Sequence, residues 1–302
     1  MRSCGGWCSR GAGAGVEYVL DGQRRTAGAA RDVVLAAGAV GSPQLLMLSG
    51  IGPAEQSRSL GIEVVRHLPG VGQNLQDHPF AQVTFTTREP VDTASMPDTP
   101  HVVLRSDPAA DPDLQLVFVH FPLPHREPGA EMEPWGGSAW RPERLDGYSV
   151  LFSLQRPHSR GSLRLAGADP GDSPLIDLGY YTDPRDLDLM VTALRRARQL
   201  GGAGALGPWR NGESAPGADV TGDAELRDYI KPATSSLCHL VGICAIGTGE
   251  HAVVDPDLRV RGIDGLRVAD ASVMPSIIAA NTNATVLAIA ERASSLLTGQ
   301  NG

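Results

Sequence analysis

The sequence predicts a mixed α/β (α+β) fold, and three observations predict it. Two nearly all-apolar segments, DVVLAAG (32–38) and GLRVAD (265–270), read as strands of a sheet covered on both faces. Between them QVTFTT, VVLR, LQLVFVHF, YSVLFSLQ and SLRL, separated by Pro, Gly and Asp turns, read as a mainly antiparallel sheet. Helical periodicity appears after Asp183 and again near the C-terminus.

Taken in order, VEYVL (16–20) is a strand, DGQ a turn and DVVLAAG the next strand. Ser42 is then expected as an N-cap, Pro43 as the first helical residue and Gly50 as the stop. A strand entering a helix through a glycine turn aims backbone amides toward an anionic ligand. A short helix near 53–60 ends at Gly61 and leads to PGVGQNLQDHP (69–79), a Gly/Asn/Asp-rich loop. The stretch 121–146 is proline-rich and weakly patterned, and is expected to be a surface excursion of the kind that forms lids. Asp183-Pro184 opens a helix whose Leu187, Met190, Leu194, Ala197 and Leu200 form one apolar stripe before Gly201-Gly202. The final helix, about 282–297, carries Ala284, Leu287, Ala290, Ala293 and Leu297 at helical spacing.

The expected domains are 1–80, 81–235 and 236–302, the last returning to the first, with 1–12 as an unmatched leader and Gly11–Gly15 flexible. A chain of 302 residues has room for such cores. A net charge of −8 disfavours a nucleic-acid partner, which needs a concentrated basic surface. The longest apolar runs fall short of the roughly 20 residues that span a bilayer. The N-terminus lacks the apolar stretch of a signal peptide, so a cytoplasmic location is expected. Cys4 and Cys8 have no second ligand pair at metal-site spacing, and Cys238 and Cys244 are expected as reduced, packed thiols.

Two segments carry a chemistry. Residues 37–52, AGAVGSPQLLMLSGIG, and the tail from Cys238-His239 through VVDPDLRVRGIDGLRVADASVMPSIIAANTNATVLAIAERASSLL resemble two signatures of the glucose–methanol–choline (GMC) family of flavin-dependent alcohol oxidoreductases. The resemblance implies an incomplete FAD-binding Rossmann-like domain plus a substrate domain with an antiparallel sheet and packed helices. It implies FAD as cofactor and a small alcohol as substrate. It matches His239 to the family's catalytic histidine and Asn281 to its second active-site residue. A histidine suits proton abstraction because its unperturbed pKa lies near neutrality. An amide at Asn281 suits orientation of the substrate oxygen. As cofactor-contacting positions the resemblance implies Asn74, Asp77 and His78 in the 69–79 loop, Asp270-Ala271 at a strand end, and Thr282 and Asn283 at the start of the last helix. A helix amino end there favours the negative charge of reduced flavin.

The chain also departs from the family. It has no strand–GxGxxG–helix unit to hold the ADP pyrophosphate; Gly11-Ala-Gly-Ala-Gly15 has the wrong spacing and precedes a strand. The expectation is therefore a truncated C-terminal portion whose FAD-binding segment is missing or separate. Leu240 stands where relatives often have proline, and Ile243 where they often have threonine. The alternatives are a non-catalytic fragment or pseudoenzyme, and a hydroxynitrile lyase on the same scaffold. Oxidase and dehydrogenase remain equally open.

Overall fold

The computed structural model of the protein describes residues 4–9, 14–90, 99–109, 111–123 and 146–299. Most of the expected 121–146 excursion lies outside the described residues. Among them are five α-helices: α1 (Gly38–Leu48), α2 (Ala54–Ser59), α3 (Pro184–Gly201), α4 (Asp223–Ala233) and α5 (Asn283–Thr298). None is long and apolar enough to cross a membrane. The chain divides into two compact units, Met1–Asp77 with Ser159–Tyr180 and His239–Gly302, and His78–His158 with Tyr181–Cys238.

In the first unit the two apolar strands pair with each other in parallel. Val33–Leu35 runs beside Leu266–Val268, in the register Leu266↔Val33 to Val268↔Leu35. Around them Leu46, Met47, Ile51, Leu75, Leu163, Val253 and Ile243 form the core. Isoleucine at 243 thus packs as a core side chain. Cys4–Ser9, Ala14–Leu20 and Gln23–Gly28 form an antiparallel meander. Its Asp21-Gly22 turn has positive φ at both residues (54° and 74°), the conformation that suits a two-residue hairpin. A strand at Cys4–Ser9 replaces the expected leader, because its backbone finds a partner in Ala14–Leu20. Gln73–Leu75, Gly161–Arg164 and Leu175–Asp177 form a further sheet, so SLRL lies here and not with the other antiparallel strands.

Helix α1 begins at Gly38, earlier than expected, and Ser42 lies inside it and not at its cap. Helix α5 also differs from its sequence pattern. Of the stripe Ala284, Leu287, Ala290, Ala293 and Leu297 only Ala293 is buried, and Leu287 is 60% exposed. The helix is apolar on more than one side. The side that packs is instead Ile289, Ala293 and Leu296, against the core.

The second unit is built on a six-stranded antiparallel sheet. Its order is Arg210–Ala215, Pro79–Thr87, Gly147–Leu154, Leu114–Val119, His101–Leu104, with Ser235–Ser236 also paired to Pro79–Thr87. Alternation sorts the central strand. Val150 and Phe152 face a core shared with Met190 and Leu194 of α3 and Leu226 and Ile230 of α4, while Leu151 packs oppositely with Phe80 and Val119. Asp183 caps α3, its side chain accepting the Arg185 amide at 3.0 Å ahead of Pro184 at the first position. Helix α4 has no strong start in the sequence and holds Pro232 near its end. It forms because Leu226, Ile230 and Ala233 share one buried face and Glu225 reaches back to the Gly222 amide at 3.1 Å.

The two burial patterns make opposite predictions for two leucines. Leu194→Ala, in the middle of the α3 core, is expected to cost about 2–5 kcal/mol. Leu287→Ala on the open side of α5 is expected to stay within about 0.5 kcal/mol in this chain alone. Urea unfolding followed by far-UV circular dichroism measures both.

Candidate active site

His239 is positioned by the segment 73–77, the strand Gln73–Leu75 and the two residues that follow it. Gln76 and Val241 exchange backbone hydrogen bonds, each 3.0 Å, as an antiparallel bridge. One residue further on, the Asp77 carboxylate accepts the His239 backbone amide at Oδ1 (2.9 Å) and the Tyr180 hydroxyl at Oδ2 (2.5 Å). The approach is close enough to require glycine at 242. Its φ is +92°, and a Cβ there would lie 2.4 Å from the Asn74 carbonyl oxygen and 3.0 Å from Gln76 Nε2.

The same segment holds the loop that leads to Asn281. Asn74 Nδ2 donates to the carbonyls of Gly242 and Pro275, both at 3.2 Å, and its Oδ1 accepts from Gln76 Nε2 (3.2 Å) and Arg160 Nε (3.1 Å). Gln76 Oε1 accepts the Ile277 amide at 3.1 Å while its Nε2 donates to Pro275 O at 3.3 Å. Asn74 and Gln76 therefore tie the His239 segment and the 275–277 segment to one short stretch of chain.

The imidazole of His239 is half-buried. Burial pushes its pKa below the ordinary histidine value, and the Asp77 carboxylate partly opposes that shift. The ring is thus biased toward the neutral form, able to accept a proton at neutral pH. Asn281 is exposed in irregular backbone two residues before α5. Thr282 occupies the N-cap position, but its side chain makes no capping hydrogen bond. The first-turn amides of α5 thus keep an amino end that favours negative charge.

The other predicted contact residues are placed differently. Asp270 is 5% exposed and accepts four hydrogen bonds from the protein. They come from Gly38 N (3.1 Å), Ser42 Oγ (2.5 Å), Ser272 N (2.9 Å) and Ser272 Oγ (2.6 Å). The anion at the amino end of α1 is therefore a carboxylate of the chain itself. This explains why Ser42 sits inside the helix, its hydroxyl also accepting the Ala37 amide. Ala271 follows in a single 3-10 turn. His78 belongs to the second unit, fully buried, with Nε2 3.2 Å from the Gln155 carbonyl. Cys244 is buried and its thiol pKa is driven up by burial, whereas Cys238, expected to be packed, is exposed in a left-handed turn (φ 60°).

Gln76, Tyr180 and Gly242 carry no motif that singles them out in the sequence. Spacing does not single out Asn74 and Gln76 either, because Asn74 has a left-handed φ of 66° and strand alternation does not hold through it. An apolar cavity of about 360 Å³ lies between α5, Leu258 and the Val273–Ile278 segment, and none of the sequence-predicted site residues lines it. The polar constellation around Asp77 identifies the site better than that cavity does.

Models of the GMC oxidoreductase family match residues 9–80 and 157–290. The chain belongs to the GMC oxidoreductase family. The cofactor of this family is FAD. Choline oxidase of Arthrobacter globiformis is 38% identical over 280 residues, which cover 89% of this chain and 49% of that protein. Mitochondrial choline dehydrogenase of Homo sapiens is 36% identical over 313 residues, covering 95% and 51%. Among solved structures, pyridoxine 4-oxidase from Mesorbium loti superposes with a TM-score of 0.86 at 30% identity, over 100% of this chain and 58% of that one. The chain thus spans about half the length of the curated relatives it matches.

Gly242→Ala is expected to lower stability by about 1–3 kcal/mol, since the added methyl meets backbone that cannot move without breaking the Gln76–Val241 bridge. Thermal unfolding compared with Gly247→Ala, whose Cβ meets only the Ala252 methyl at 3.3 Å, checks that the effect is local to this strand crossing.

Proposed function

We propose that this chain carries the alcohol-oxidising half of an FAD-dependent oxidoreductase acting on CH–OH donors, with choline-like small alcohols as the first substrates to test. His239 takes the hydroxyl proton, and Asn281 hydrogen-bonds the substrate oxygen and holds the reacting carbon. FAD, when bound, supplies the hydride acceptor at N5. The observation that carries this reading is the single segment that holds both the His239 backbone and the loop leading to Asn281. The neutral-biased base is held through its backbone amide, and the loop that precedes the Asn281 amide is held at Pro275 and Ile277 by the same segment. The choline oxidase and choline dehydrogenase relatives support the choice of donor.

The fit to FAD is partial. The amino end of α5, with Asn281, Thr282 and Asn283, suits the negative charge of a reduced flavin, worth about 0.3–1 kcal/mol. No described strand–turn–helix unit is open to a pyrophosphate, since the amino end of α1 is filled by Asp270. We therefore assign pyrophosphate binding to a further polypeptide segment that works with this chain. The open side of α5 suits such a partner.

Anaerobic stopped-flow reduction by choline of the flavin-loaded protein, this chain together with the segment that completes its cofactor site, tests the base. His239→Ala is expected to slow reduction by about 10²–10⁴-fold, and a rate within a few-fold of the parent removes His239 from the mechanism. The pH profile gives a second expectation. Because burial lowers the His239 pKa, the proton-accepting form persists below the ordinary value of 6.5. The rate should therefore rise with pH through an inflection below 6.5; an inflection above it contradicts this assignment.

A further inference from the structure

We infer that Asp77 is the positioning residue of His239, seated by Tyr180, an inference that rests on the base role proposed above. Asp77 is only 2% exposed, so its carboxylate is held away from water and must be satisfied by the protein. Its two oxygens bind different donors: Oδ1 takes the amide of His239 and Oδ2 the hydroxyl of Tyr180. A backbone amide anchored in this way fixes the main chain at His239, and with it the direction of the Cα–Cβ bond that carries the imidazole. Tyr180 removes the remaining freedom of the carboxylate, because a carboxylate bound at both oxygens cannot rotate about its last torsion.

Position is only one of the two consequences. When the imidazole takes a proton it becomes a cation in a half-buried site, where burial opposes that charge. The Asp77 carboxylate is the charged side chain whose field favours the cation. Asp77 thus orients the base through its backbone and stabilises the charge that proton transfer creates. Asn74 and Gln76, from the same segment, hold the Pro275–Ile277 backbone, so residues 74–77 contact both the His239 backbone and the loop that precedes Asn281. Asn74 and Gln76 reach the 275–277 loop, Asn74 also reaches Gly242, and Asp77 reaches the histidine.

Asp77→Asn and Tyr180→Phe separate the two roles. Asparagine at 77 retains an oxygen for the His239 amide and removes the charge; phenylalanine at 180 retains the charge and removes one anchor. Two readouts are needed. The first is the imidazole titration of His239 by NMR on the 302-residue chain, assigned with His239→Ala, which requires neither flavin nor substrate. The second is choline reduction of the flavin-loaded protein. Asp77→Asn is expected to move the His239 inflection to lower pH and to slow reduction about ten- to a hundred-fold, with the substrate dissociation constant within about threefold of the parent. Tyr180→Phe is expected to slow reduction less and to leave the inflection where it is. Beside an inactive His239→Ala, parental rate and parental titration in Asp77→Asn overturn the charge role of Asp77, and parental rates in both Tyr180→Phe and Asp77→Ala, which lacks the amide's acceptor, overturn the positioning role. A near-parental rate in His239→Ala instead overturns the base role on which it rests.

Discussion

Two buried carboxylates organise the first unit, and each is held by donors that come from distant parts of the chain. Burying an ionised carboxylate costs several kcal/mol unless hydrogen bonds replace its water. Asp270 recovers that cost from Gly38, Ser42 and Ser272, and Asp77 from His239 and Tyr180. The penalty for leaving either one unsatisfied is what makes the arrangement specific. A shift of the 239–242 segment by one residue would strand Asp77 and also drive a side chain into the Asn74 backbone at the place Gly242 now occupies. Stability and site geometry therefore depend on the same contacts.

The elements legible in the sequence are those whose signals are local. The Asp183-Pro184 start of α3 and its stripe through Leu194, the turn at Asp21-Gly22, and the strand at 266–268 all follow from adjacent residues. The strand Gln23–Gly28 that makes this turn a hairpin was not foreseen. What was not legible depends on partners far away. The early start of α1 is set by Asp270, more than two hundred positions later, and no local rule places Ser42 inside a helix when it has the look of a cap. SLRL and YSVLFSLQ have the same pattern, yet one joins the Gln73–Leu75 strand and the other the six-stranded sheet. Strand pairing is a long-range choice that period-two alternation does not encode.

The site divides along the same line. His239 and Asn281 stand out through family motifs, but the residues that hold them do not. Tyr180 lies in LGYYTDP, a sequence with ordinary turn chemistry, and acquires its role only when the fold brings it to Asp77. Asn74, expected at a cofactor, has a further role that its place in a loop did not signal: its side-chain amide joins segments by bonding Gly242, Pro275, Gln76 and Arg160. The glycine turn before α1 illustrates the converse. It does what such turns do, binding an anion at a helix amino end, with the anion supplied from within.

Helix α5 meets solvent along Ala284, Leu287, Ala288 and Ala290, small and apolar side chains that present little besides hydrocarbon. Covering such a surface releases ordered water and is driven near room temperature almost wholly by entropy. That driving force weakens on cooling. Whatever protein surface comes to lie on α5 is therefore held more firmly in the warm than in the cold. Any such contact would loosen on chilling before the hydrogen-bonded carboxylates did.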